Sequence, residues 1–326
     1  MEQGKQTELE QVIKSEYGNT AGLVIMKDGE TLYESYFNDC SAESRIHIFS
    51  VTKSILSLLI GIAIDRGAIQ SVDQKVLDFF PEYEIEEGEK SIQKITIRHL
   101  LTMTAPFKFE EEPYVEYFTS EDWAAFALKL LGGKGAVGEF RYRPIVGPDI
   151  LSSILERAAG VSVLAFAKKH LFLPLGITVD RNITFKSQEE QFAFYEATTI
   201  NGWVADQMGT NAAGWGLTLS PMDMAKIGQL YLTKGVWKEK QIISPQWLID
   251  SITEHSRWQE MNLAYGYLWW LVDEDCHAAM GDGGNVIYIN TKKNLVVAST
   301  ALFVQDAKDR ITFIKEHIEP FVSETV

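Results

Sequence analysis

The sequence predicts an α/β protein whose mainly antiparallel sheet is built from both termini, flanked by helices and interrupted by a mostly helical insertion. Strand-like stretches with tight turn signals gather near the two ends of the chain. The middle is a series of apolar helical segments closed by glycines. Strands that neighbour through hairpins pair antiparallel. The sheet unit is expected from residues 1–72 and 206–326 and the helical unit from 73–205, with a functional cleft at their interface.

In chain order, residues 8–17 read as a short amphipathic helix. Gly22–Met26 and Thr31–Phe37 read as strands around the turn Lys27-Asp28-Gly29-Glu30. A long apolar helix runs from Ser50 to the stop at Gly67. An irregular region from Asp73 leads to a short helix at Thr96–Thr104 and an acidic loop holding Glu110, Glu112 and Glu116. Helices follow at Asp122–Leu131, Asp149–Ala159 and Val163–Phe172. Residues 180–205 are polar and read as a long loop or an inserted hairpin. Two more helices start at Pro221 and Pro245, and strand signals return at Gly266–Val272, Val286–Asn290 and Leu295–Thr300. A helix at Ala307–Val322 closes the chain.

A formal charge of −15 argues against nucleic acid and anionic membranes as partners. Only Cys40 and Cys276 are present, without metal-type spacing, so neither a disulfide framework nor a metal site is expected. The polar, acidic start has no apolar signal core, and the longest apolar run, Ile55–Ile64, is too short to span a bilayer, which gives a cytoplasmic expectation.

The chemistry is carried by Ser50 and Lys53. Residues three apart share a helical face, so Lys53 points back toward Ser50. The surrounding segment is apolar almost all round, and burial pushes a lysine toward the neutral amine that can serve as a base. The helix N-terminus favours negative charge developing on the serine. The pair is therefore a candidate activated nucleophile. The same string occurs at Ser91-Ile92-Gln93-Lys94, but in a polar stretch where a serine caps or turns.

Other motifs fail on context. Gly133-Lys134-Gly135-Ala136-Val137-Gly138 follows a helix and does not open one, so it is no dinucleotide fingerprint. No serine has glycines two before and two after it, and no His-Glu-x-x-His occurs; His99 reads as structural. Two stretches remain: the loop Glu139–Pro144 with Tyr142, and the glycine-rich Gly281-Asp282-Gly283-Gly284-Asn285 before a strand.

Taken in order, these pieces resemble the serine beta-lactamase and penicillin-binding-protein-like superfamily, nearest its class C and esterase-type members. Ser50-Val51-Thr52-Lys53 matches the first motif, Tyr142-Arg143-Pro144 the second (usually Tyr-x-Asn), and Asp282-Gly283-Gly284 falls near the third (Lys/His-x-Gly). Ile95–Thr102, Leu173-Pro174-Leu175-Gly176, Ala213–Leu217 with Asp223-Met224-Ala225, and Tyr265–Trp270 are similar to the family's intervening text.

The resemblance implies an acyl-enzyme mechanism with Ser50 as nucleophile and Lys53 and Tyr142 shuttling its proton. It further implies that the backbone N–H groups of Ser50 and Asn285 hold the oxyanion, beside Asp282, Gly283 and Gly284. No cofactor is implied, and the partner is a small ester, amide or peptide substrate. Two departures redirect the expected substrate. Pro144 lacks the amide-binding side chain, and Asp282 would repel the carboxylate carried by penicillins and D-Ala-D-Ala peptides. Neutral or cationic esters and amides fit better, and Arg141 and Arg143 are the nearest candidates to restore positive charge. The alternatives are a beta-lactamase or D-Ala-D-Ala carboxypeptidase, and a non-catalytic binding or sensor protein.

Overall fold

The computed structural model describes residues 3–323. β1 (Thr20–Lys27) and β2 (Glu30–Tyr36) form a hairpin turned by Asp28 and Gly29, both at positive φ. The chain returns to the same sheet as β3 (Ser256–Trp258), β4 (Leu263–Tyr265), β5 (Trp270–Leu271), β6 (Cys276–Gly281), β7 (Asn285–Asn290) and β8 (Leu295–Ala301). The eight strands pair antiparallel in the order β2-β1-β8-β7-β6-β5-β4-β3, so β8 joins the C-terminal meander to the N-terminal hairpin.

Side chains alternate across this sheet, and both faces are covered. Leu23, Ile25, Val286, Tyr288, Leu295 and Val297 face a layer closed by Leu9 and Ile13 of α1 (Gln3–Glu16) and by Phe313, Ile314 and Ile318 of the C-terminal helical segment. Val24, Met26, Ile287, Ile289, Val296 and Ala298 face the opposite layer. That layer holds α2 (Val51–Asp65), α3 (Trp123–Leu130), α4 (Val146–Ala159) and α5 (Pro221–Leu232). One apolar cluster runs from the sheet through α2 into the 73–205 segment, including Leu128, Ile150 and Leu151. The residues of α2 from Val51 to Ala63 are all buried, which is why its apolar pattern has no polar face.

Several elements differ from expectation. The strand expected at Gly266–Val272 is broken: Gly266 is pressed against the Ser251 carbonyl, Leu268 takes φ 61°, and only Trp270–Leu271 pairs onward. Strand β6 was not expected, because Ala278, Ala279 and Gly281 have little intrinsic strand preference; its two neighbours impose the conformation. α4 starts at Val146, three residues earlier than expected, since Pro148 in the first turn costs no hydrogen bond. Residues 180–205 are neither a loop nor a hairpin: Arg181–Ile183 pairs in parallel with Gly202–Val204, with the helix Gln188–Glu196 between them. No single helix among the described residues is long and apolar enough to cross a membrane.

Candidate active site

The chain enters α2 through Phe49, held at φ 48°, a left-handed conformation uncommon for a residue with a side chain and frequent where strain serves a site. Ser50 follows with helical dihedrals, and its hydroxyl makes no cap hydrogen bond. One turn on, Lys53 is 2% exposed. Its ammonium nitrogen donates to Ser50 Oγ at 2.7 Å and to the Gly214 carbonyl at 2.8 Å. Burial lowers its pKa to about 7, against the opposing pull of the Asp282, Glu112 and Asp149 carboxylates. The decoy serine differs in each respect: Ser91 Oγ lies 2.6 Å from Glu89 Oε1 in a turn, and Glu89 also takes the Ser91 and Ile92 N–H groups.

Tyr142 stands on the opposite wall, its ring centroid 5.8 Å from Lys53 Nζ. Trp258 (6.1 Å, stacked) and Trp270 (5.3 Å, tilted) back it from β3 and β5. Burial pushes the phenol well above its ordinary pKa; its hydrogen bond with Ser50 opposes this, while Asp282 and Glu112 add to it. Tyr142 is therefore a proton donor at neutral pH. Of the arginines flanking it, Arg143 acts on the Glu112 carboxyl, lowering its pKa against the effect of burial. Arg141 pairs with Glu139 at 3.1 Å, and Arg143 donates to the Glu110 and Phe109 carbonyls while lying over the Phe109 ring.

The third wall is the end of β6. A Cβ on Gly281 would sit 2.3 Å from the Ile48 carbonyl and 3.1 Å from the Ser50 nitrogen, so this backbone abuts Ser50 without room for a side chain. Asp282 comes next and is exposed, and Gly283 and Gly284 turn the chain at φ 75° and 97°. Asn285, expected at the oxyanion site, begins β7 instead. Its side chain donates to the Asp282 carbonyl at 2.8 Å and accepts from Ala301 N at 3.0 Å, pinning the hairpin. The expected register is thus displaced, and the residue against Ser50 is Gly281. Its signal in the sequence was the glycine itself, the last residue of β6.

The alternation of β6 aims its backbone. The Cys276 carbonyl accepts from Val272 N on the β5 side, and even-numbered residues of the strand share that side. The last β5 pair is Trp270 with Ala278, so β5 pairs with no residue of β6 beyond it.

Two contributors lie in stretches the sequence singled out but were not among the expected site residues. Gly214 offers a backbone carbonyl, and its Cα packs against the Pro144 carbonyl, where a Cβ would be 2.5 Å away. Glu112, in the acidic loop, accepts from Val146 N at 3.3 Å, and burial raises its pKa. A hydroxyl bonded to a buried amine with lowered proton affinity and to a protonated phenol is an arrangement that suits acyl transfer.

A family model described as beta-lactamase matches residues 9–316. A 6-aminohexanoate-dimer hydrolase from Paenarthrobacter ureafaciens is 23% identical over 250 residues, 73% of this chain, and the chain spans 58% of that protein's length. A putative beta-lactamase from Bacteroides dorei aligns with a TM-score of 0.73 at 16% identity over 98% of both chains. A family VIII carboxylesterase aligns with a TM-score of 0.71 at 14% identity over 97% of this chain and 96% of the other.

Proposed function

The chain belongs to the beta-lactamase family of serine hydrolases, and from that membership we propose that it cleaves a small ester or amide through an acyl-enzyme on Ser50. The observation that carries this is the 2.7 Å hydrogen bond from the buried Lys53 to Ser50 Oγ. In this reading Ser50 Oγ bonds to the substrate carbonyl carbon while its proton passes to neutral Lys53 and the C=O electron pair moves onto oxygen. We assign the oxyanion to the N–H groups of Ser50 and Asp282, because Asp282 directly follows Gly281, whose backbone abuts the Ser50 nitrogen; Asp282 thereby takes the role expected of Asn285. Tyr142, protonated, delivers a proton to the leaving group and is replenished from Lys53. Water then cleaves the acyl-enzyme, releasing the acid and returning the Ser50 proton.

The two-unit division, residues 1–72 and 206–326 against 73–205 with the site at their junction, is kept as part of this proposal. Asp282 disfavours substrates with a carboxylate near the scissile bond, so efficient turnover of penicillins is not part of the proposal. The names of two relatives, a 6-aminohexanoate-dimer hydrolase and a carboxylesterase, support non-lactam substrates. The test compares wild type with Ser50→Ala for labelling by a fluorophosphonate and turnover of p-nitrophenyl esters. Labelling and turnover lost in the variant support the reading; wild-type protein that neither labels nor turns over overturns it.

A further inference from the structure

Lys53 is aimed by one carbonyl, and that carbonyl is itself held by a buried acid. Gly214 O accepts from Lys53 Nζ at 2.8 Å, and the preceding residue, Ala213, donates its N–H to Asp149 Oδ1 at 2.7 Å. Asp149 is 1% exposed, in the first turn of α4. Its other oxygen accepts from the hydroxyl of Tyr117, a fully buried ring stacked on Trp123 with centroids 4.9 Å apart. The Asp149 carboxylate thus has two dedicated donors and sits two residues' backbone away from the amine that would act as base.

A carboxylate buried this deeply is costly to keep charged: burial raises the Asp149 pKa to about 7, against the Tyr117 hydroxyl and the Ala213 N–H, whereas hydrophobic packing of α4 requires no carboxylate at all. Ile150, Leu151 and Ile154 already supply that packing. A buried charge is well used where a second charge appears during the reaction. When Lys53 takes the serine proton, an ammonium forms in the same buried region. The geometry has the logic of a nucleophile and base oriented by a third group.

Resting on the hydrolase reading, we propose that Asp149 is the positioning residue of the relay. It fixes the Ala213–Gly214 backbone that aims Lys53 at Ser50, and its carboxylate stabilises the ammonium formed as Lys53 accepts the serine proton. The charged and titratable groups around Lys53 are Asp149 from α4, Asp282 from the end of β6, Glu112 from the acidic loop and the Tyr142 phenol. Removing the Asp149 charge takes away one of the three carboxylates that raise the proton affinity of Lys53.

The test is the pH dependence of Ser50 labelling by a fluorophosphonate in wild type, Asp149→Asn and Tyr117→Phe. Asn keeps an oxygen for the Ala213 N–H and removes the charge. Its expected result is a labelling rate about ten- to hundredfold lower, with the rising limb of the profile moved to lower pH. Tyr117→Phe keeps the carboxyl group but strips a donor that lowers its pKa from about 7, so more of Asp149 is protonated near neutral pH and the limb moves the same way by less. A purely structural role would lower the rate at every pH with the midpoint unmoved, and that outcome in a folded Asp149→Asn protein overturns the proposal. If Asp149→Asn fails to fold, Tyr117→Phe decides it by the same midpoint. Loss of Ser50-dependent labelling from wild type at all pH values would overturn the hydrolase reading itself, a separate and distinguishable result.

Discussion

At Lys53 and Tyr142, environment rather than residue type divides the proton work. Both lie against Ser50, yet burial lowers the amine to about 7 and raises the phenol, with Asp282 and Glu112 strengthening the second effect. Only Lys53 is then deprotonated near neutral pH. The kcat/KM of a p-nitrophenyl ester, measured between about pH 5 and pH 9, is expected to rise through about 7 as Lys53 loses its proton. A profile that climbs only toward the phenol range would assign the base to Tyr142. Replacing Lys53 by Met should lower kcat/KM by about 10²–10⁴-fold, and Arg should not rescue it, because a guanidinium cannot be deprotonated.

At the scale of elements, two glycines set how closely α2 is approached. Gly281 brings β6 against the turn before Ser50, and Gly281→Ala would drive a methyl to 2.3 Å from the Ile48 carbonyl. Neither partner is a flexible side chain, so backbone must shift. The expected outcome is about 1–3 kcal/mol of lost stability by denaturant titration, together with a loss of turnover exceeding tenfold from a displaced oxyanion site. Gly61, on the far stretch of the same helix, abuts Trp247, whose ring would lie 2.4 Å from an added Cβ. Gly61→Ala should destabilise by a similar amount, because Trp247 is itself held in place by packing against Tyr267 at 5.3 Å. Its pH profile should keep the wild-type midpoint, since Lys53 lies two turns away; a shifted midpoint would mean that α2 moves as a rigid rod. Comparing the two variants separates helix packing from site geometry.

For the whole molecule, the pocket joins segments far apart in sequence: α2 near residue 50, the Tyr142 loop, Gly214 and the end of β6. The charge at its mouth is set by Asp282, which acts on Lys53 and Tyr142 alike. Asp282→Lys reverses that charge. It should increase acylation by benzylpenicillin relative to a neutral ester and lower the midpoint of the Lys53 limb, because a carboxylate that raised the lysine's proton affinity is gone. Acylation by penicillin unchanged in the variant would show that Asp282 does not control carboxylate entry.

Local patterns were readable before any coordinates. Ser50 and Lys53 are three residues apart on one helix, so helical periodicity alone predicted the bond now seen at 2.7 Å. The hairpin of β1 and β2, and strands β7 and β8, show themselves through apolar runs flanking Asp28-Gly29 and Lys292-Lys293-Asn294. What escaped was long-range. β6 is a strand because β5 and β7 pair with it, not because Ala278 and Ala279 prefer extended backbone. The bond from Lys53 to Gly214 spans 161 positions, and that from Asp149 to Ala213 spans 64, beyond any local period. The sequence by itself determined the Ser50–Lys53 pair and the antiparallel sheet, since each depends on spacings within one element or one hairpin. Only the tertiary structure decided which glycine meets Ser50, which acid backs Lys53 and where Asn285 goes, because those follow from how separate elements pack together.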